Sequence, residues 1–244
     1  MHDQRNGTGR SALRTLIATG GAALLLGAAP AGAATRGYTI TSFDAIRVDA
    51  PVTVILTTGT GASARADGDI ALLDRLKLDV SGRVMTISMD APRNGEKSRG
   101  AATLRLSTGT IERVILSGGG SIAIDRIKGL QGQMVLGGNG DISVANIDLD
   151  QMDLMLAGGG RMTLAGRTGI ANIRVTGAGT LAAEPLRARQ ATVSNEGPGS
   201  ISLTADVTAD IRASGSGTVT LTGKAVCTVD NRGTGQISCG GETY

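Results

Sequence analysis

VILSGGGSIAI, residues 114–124, is the first of seven copies of one phrase. MVLGGNGDISV follows from Met134, LMLAGGGRMTL from Leu154, IRVTGAGTLAA from Ile173, VSNEGPGSISL from Val193, IRASGSGTVTL from Ile211 and VDNRGTGQISC from Val229. Successive copies start 20, 20, 19, 20, 18 and 18 residues apart. A fixed period of this size marks a solenoid, in which each repeat can bury its apolar face only against its neighbours. In the first copy Val114 and Leu116 alternate with Ile115 and Ser117, and Ile122 and Ile124 with Ser121 and Ala123. Alternation of period two is the signature of a strand, because neighbouring side chains point to opposite faces. Between the two runs stand Gly118 and Gly120. The same pair recurs as Gly138 and Gly140, Gly158 and Gly160, Gly177 and Gly179, Gly197 and Gly199, Gly215 and Gly217, and Gly233 and Gly235. Glycine at such a point permits a positive φ or a bulge, so the chain turns a corner.

A propeller blade needs roughly 40 residues or more, twice this period. The leucine-rich phrase is missing, and a hairpin meander does not require two glycines at one phase in every copy. The expected fold is therefore all-β, a parallel β-helix or solenoid of about 20 residues per coil. The linkers supply a third side. Ile127 and Leu130, Ile147 and Leu149, Ile170, Leu186, Val207 and Val226 place at least one aliphatic residue in each gap and are expected to face inward.

Residues 1–33 read as a secretory signal peptide: Arg5, Arg10 and Arg14, then the apolar run Leu16–Ala29, then the small-x-small site Ala31-Gly32-Ala33. The run falls short of the roughly 20 residues that span a membrane. The expectation is cleavage after Ala33 and no transmembrane anchor afterwards. Export to the periplasm, cell surface or medium follows. Of 24 basic and 21 acidic residues in the chain, cleavage leaves 21 and 20, a net charge of +1. That balance implies no basic face, and nucleic acid is not an expected partner. The single histidine, His2, leaves with the signal.

Residues 36–244 read as one domain, with 114–239 its regular part. Phe43, Ile46 and Val48, then Val52, Val54 and Leu56, read as strands around Pro51. Asp69–Leu78 reads as a short helix or an anchored loop, Val84–Met89 as a strand, and Ala91–Ala101 as an exposed polar loop. This irregular section is expected to cap the solenoid, since an open end would be an unpaired sheet edge.

FDAIRVDAPVTVILTTG from Phe43, DGDIALLDRLKLDVSGRVMTI from Asp67 and the SGGGSI-like phrases together resemble the bacterial exported GIN-type domains, adhesin heads of autotransporter type and unknown function. The resemblance covers nearly all of residues 36–244. It implies a right-handed β-helix-like fold in the cell envelope and carries over no catalytic residue. The sequence up to Tyr244 holds no run of alternating strands that would build a membrane barrel.

Cys227 and Cys239, both of inward parity in the last coil, are expected to form a disulfide in an exported protein. GGNGD at Gly137–Asp141 places its carboxylate one position early for a calcium nonapeptide and no other copy has an acid there, so no metal or cofactor is expected. Asp148, Asp150 and Asp153 are the closest approach to the carboxylate cluster of a polysaccharide-cleaving β-helix. Asp148 and Asp150 share outward parity, as solvated side chains do. After each corner an outward ladder runs Ser121, Asp141, Arg161, Thr180, Ser200, Thr218 and Gln236, too irregular for an ice lattice. The aromatic residues are Phe43, Tyr38 and Tyr244, with no Trp, which disfavours sugar stacking. The reading is an exported, non-enzymatic module that contacts an unidentified protein or glycan of the envelope. A carbohydrate-active β-helix enzyme is the alternative. End-to-end pairing into homo-oligomers stays open.

Overall fold

A computed structural model describes residues 33–92 and 100–244. The expected signal segment lies outside the described residues but for the backbone of Ala33. Most of the polar loop read at 91–101 also lies outside them. The leading section contains β1 (Ala33–Tyr38), β2 (Ala45–Val48), β3 (Thr53–Thr58), β4 (Ser63–Asp69), α1 (Ile70–Arg75), β5 (Leu76–Ser81), β6 (Val84–Met89) and β7 (Thr103–Thr108). The repeats form β8 (Arg113–Gly118), β9 (Ser121–Ile124), β10 (Ile127–Gly138), β11 (Asp141–Gly158), β12 (Arg161–Val175), β13 (Thr180–Asn195) and β14 (Ser200–Ala213). The last coils hold β15 (Val219–Gly223), β16 (Val226–Asn231), β17 (Ile237–Cys239) and β18 (Glu242–Thr243).

These strands make a β-solenoid of about six turns, stacked about 20 residues apart. Each coil has a first wall ending at the Gly-x-Gly corner, a second wall after it, and a third side leading back. β10 to β14 pair in parallel, each with the next. β11 to β14 each run from the second wall through the third side into the first wall, which is why they are far longer than the four-residue runs of the sequence pattern.

Register turns the repeated phrase into ladders. Val114, Met134, Leu154, Ile173, Val193 and Ile211 stack on the inside of the first wall, all at most 4% exposed. Ile122, Ile142, Met162, Leu181, Ile201 and Val219 stack likewise inside the second. Burying each such side chain contributes about 1.5–3 kcal/mol, a gain available only when the coil below is in place.

The third side departs from expectation. Ile127, Ile147, Leu149 and Leu186 are buried, but Leu130, Ile170, Val207 and Val226 are 75%, 39%, 45% and 74% exposed. Beyond the second coil the inward positions of this side hold Thr168, Ala171, Ala188, Ala191, Ala205 and Ala209, each buried. Apart from Leu186, small residues fill the core there, and Ile170, Val207 and Val226 fall on the outward phase.

The corner glycines serve in two ways. Among the seven pairs only Gly118, Gly138 and Gly158 have positive φ. The rest are required by close stacking: a Cβ on Gly140 would lie 2.4 Å from the Gly120 carbonyl oxygen, and one on Gly217 1.9 Å from that of Gly199. The residue between each pair is free to vary, as Asn139, Ala178, Pro198 and Thr234 show. Two coils replace the inward aliphatic before the corner with asparagine. The Asn195 amide donates to the Gly199 carbonyl (3.0 Å), and the Asn231 amide donates to that of Gly235 (3.1 Å). The Asn231 side-chain oxygen also accepts from the Gly233 N–H (3.2 Å), so the corner is bridged from within.

The leading section is a cap, but one built of coils taken out of order. β2 and β3 lie beneath β8 and β9, and β6 and β7 lie beneath β2 and β3, all parallel. β5 then covers β6 and β4 covers β7 in antiparallel pairing, with β1 beyond β4. Antiparallel strands end the stack because they cannot continue a parallel coil. Between β4 and β5, α1 starts at Asp69, whose carboxylate accepts from the Ala71 N–H, and buries Leu72 and Leu73. No helix among the described residues is long and apolar enough to cross a membrane.

Candidate functional site

A groove of about 480 Å³ lies on the outside of the first wall. Two outward columns build it, one on each side of the buried ladder. Gln133, Asp153, Asn172 and Thr192 stack in one column, and Val135, Met155, Arg174 and Ser194 in the other. The floor is thus apolar at the second and third coils, where Met155 is 41% exposed. One border is a row of amide and carboxylate groups. The Asn172 amide donates to Asp153 Oδ1 at 2.8 Å, and the Gln151 amide reaches Oδ2 at 3.4 Å. This fixes Asp153 as an acceptor for its neighbours. The far end is closed by the Arg174–Glu196 ion pair (2.8 Å), on which the Ser194 hydroxyl also bonds at 3.2 Å. Hydrogen bonds of this kind between neighbouring side chains restrain the border of the groove.

The residues singled out in the sequence are distributed as follows. The fourteen glycines stand at the corners. Cys227 and Cys239 are joined by a disulfide, with Cys239 buried and Cys227 half-buried at the end of the stack. Asp148, Asp150 and Asp153 do not converge. Asp148 lies on the third side, hydrogen-bonded by Arg167 (2.8 Å). Asp150 is exposed at the turn between the third side and the first wall, and Asp153 belongs to the groove. The hydrogen bond from Arg167 holds the Asp148 carboxyl below the usual carboxylate range, with the charges of Arg167, Lys128 and Arg126 acting in the same direction. A carboxyl held ionised is a poor general acid. Asp141 stacks between Ser121 and Arg161. No cluster of three His, Cys, Asp or Glu that could hold a metal occurs among the described residues.

Sequence reading missed the groove because it followed the outward ladder after each corner. The signal lay before the corner: Ile115, Val135 and Met155 occupy outward phases yet are apolar, against the alternation of the other copies.

Residues 42–225 match the family model described as "Putative auto-transporter adhesin, head GIN domain". Among solved structures the fold is similar to that of a putative adhesin from Bacteroides fragilis NCTC 9343. The TM-score is 0.76 at 19% identity, covering 85% of this chain and 96% of that one. It is similar to a putative lipid binding protein from Parabacteroides distasonis ATCC 8503 at TM-score 0.64 and 21% identity, covering 84% and 96%. A putative adhesin from Parabacteroides merdae ATCC 43184 aligns at TM-score 0.60 and 18% identity, covering 84% and 95%. No curated protein matches the sequence.

Proposed function

The chain belongs to the head GIN domain family of adhesin type, and from that premise we propose that it is an exported, non-enzymatic module that adheres to a surface through its first wall. The observation that carries this reading is the groove, in which an apolar floor at Val135 and Met155 lies between a polar amide row and a fixed ion pair across four coils. A contact of this kind gains affinity from apolar burial and specificity from the hydrogen-bonding border. The divergence of Asp148, Asp150 and Asp153 favours binding over hydrolysis, which needs two carboxyl groups facing one bond. Export is supported by the reading of residues 1–33 as a cleaved signal and by the adhesin family.

The test coats beads with the purified chain and measures retention on immobilised matrix proteins and envelope glycans. Retention on at least one surface, lowered ten-fold or more by Met155→Lys and by Asn172→Arg, is the expected result. Equal retention of wild type and both variants on every surface sinks the proposal. So does turnover of a polysaccharide that is abolished by Asp148→Asn or Asp150→Asn.

A further inference from the structure

The third side of the coil carries a second charged feature, separate from the groove. Lys128, Asp148, Arg167 and Arg187 occupy one register position in four successive coils. With Arg126 they line a depression of about 440 Å³. Asp148 is the one carboxylate lining it, and two cations share it: Arg167 Nε at 2.8 Å and Lys128 Nζ at 4.0 Å. Asp206, beyond the depression, takes Arg187 through both Nε (3.2 Å) and Nη2 (2.7 Å). Asp125, next to Arg126 in sequence, is engaged by its neighbours: it accepts from the N–H groups of Thr58 (2.9 Å) and Arg126 (2.7 Å) and from the Thr58 hydroxyl (3.2 Å). Among the described residues no carboxylate forms an ion pair with Arg126, and Arg167 bonds Asp148 through Nε alone.

The step from Arg167 to Arg187 is the informative one. Like charges on directly paired positions destabilise a sheet, and the sequence places them one strand spacing apart, about 4.8 Å. Arg167 uses only Nε on Asp148, and Arg187 uses Nε and Nη2 on Asp206, so each keeps N–H donors for an anionic group lying across the two coils. The Lys128, Arg167 and Arg187 side chains are 73%, 76% and 65% exposed, so they are reachable from solvent.

We propose that this ladder binds a linear acidic polysaccharide, whose sulfate or carboxylate groups sit on Arg126, Lys128, Arg167 and Arg187. An extended occupant is required because the cations form a row along the stack on an open face. Spaced anions pass Asp148 and Asp206, whereas a continuous anionic membrane plane would be pressed against both. Single-stranded nucleic acid gains its affinity from aromatic platforms. Phe43 is buried in the core, and Tyr38 and Tyr244 lie near the two ends of the described chain. The site stands whether or not the groove is adhesive.

The experiment measures binding of the purified full chain to immobilised heparin, polygalacturonate and neutral dextran at low and high NaCl. Vesicles containing phosphatidylserine form a further arm. Binding to heparin, to polygalacturonate or to both is expected, identifying sulfate, carboxylate or either as the recognised group. Dextran is expected to be ignored. High salt should weaken binding at least ten-fold, since exposed charges are screened. Arg167→Ala/Arg187→Ala should lose ten-fold or more, and Arg232→Ala, paired with Asp230 on the first wall, should stay within two-fold. Asp148→Asn should bind several-fold more tightly, a gain that a merely structural role would not give. The proposal is overturned by absence of binding to both acidic glycans, by an unchanged affinity in the double variant, or by vesicle binding of equal strength through the same residues.

Discussion

Gly160→Ala tests the stacking of the corners against a neighbour that should not care. A Cβ at Gly160 would stand 2.3 Å from the Gly140 carbonyl oxygen and 2.8 Å from Leu136 Cδ2. Ordinary contact begins near 3.4 Å, so the coils must part by about 1 Å at that corner. Two backbone bonds cross that junction: Gly160 N–H to the Gly138 carbonyl (3.0 Å) and Arg161 N–H to that of Gly140 (3.0 Å). Lengthening by 1 Å takes a bond of this length out of hydrogen-bonding range. Losing both at about 1 kcal/mol each gives an expected destabilisation of about 2 kcal/mol. Gly119→Ala, by contrast, meets nothing within 4 Å and has no positive φ. It should stay within about 0.5 kcal/mol of wild type. Urea unfolding followed by far-ultraviolet circular dichroism reads both. The Gly160→Ala midpoint should fall by about 0.8 M, given a slope of about 2.5 kcal/mol per M. Equal midpoints for Gly160→Ala and wild type would refute the argument that close stacking, not conformational freedom, demands glycine here.

Asn195 is 1% exposed and bonds the corner carbonyl of Gly199, so Asn195→Ala leaves that group unpaired and should cost about 1–3 kcal/mol in the same unfolding assay. Replacing Cys227 and Cys239 by serine opens a link between residues 12 apart. Loop-closure entropy for such a length predicts a loss of about 3 kcal/mol, and mass spectrometry with and without reductant should first show the bond in the oxidised protein. Acid should also weaken the fold. The Thr35 hydroxyl and then Arg105 hold the Asp67 carboxyl below its ordinary range, and Arg167 does the same for Asp148. Both contributions are complete above the unfolded value near 4 and fade as pH falls through the lower folded values. The melting temperature should therefore drop between pH 5 and about pH 2. A melting temperature that holds or rises over that span would count against these pairings.

The walls were readable from the sequence because their signal is local and repeated: the phase of Val114, Met134 and Leu154 alone sets which side is inside. The third side was less readable. Ile170 and Val207 look like core residues by type, yet the inward phase there belongs to Ala188, Ala191 and Ala205, whose smallness matters only once neighbouring coils define the width of the core. The order of the first coils could not be read at all, since β6 and β7 pair with β2 and β3 across dozens of residues with no repeated phrase to set the register. Of the residues singled out in the sequence, the Cys227–Cys239 pair and the parity of Asp148 were visible. The groove was not, because its polar border exists only when Gln133, Asp153 and Asn172 from three coils are stacked.

Where the chain sits in the cell tests the adhesive account most directly. Protease added to intact cells, with fractionation alongside, reports whether the chain is reached from outside. The account predicts a processed chain beginning at Ala34 that external protease removes. A chain still carrying residues 1–33 in the cytoplasm, or one protected until the envelope is opened, would contradict it.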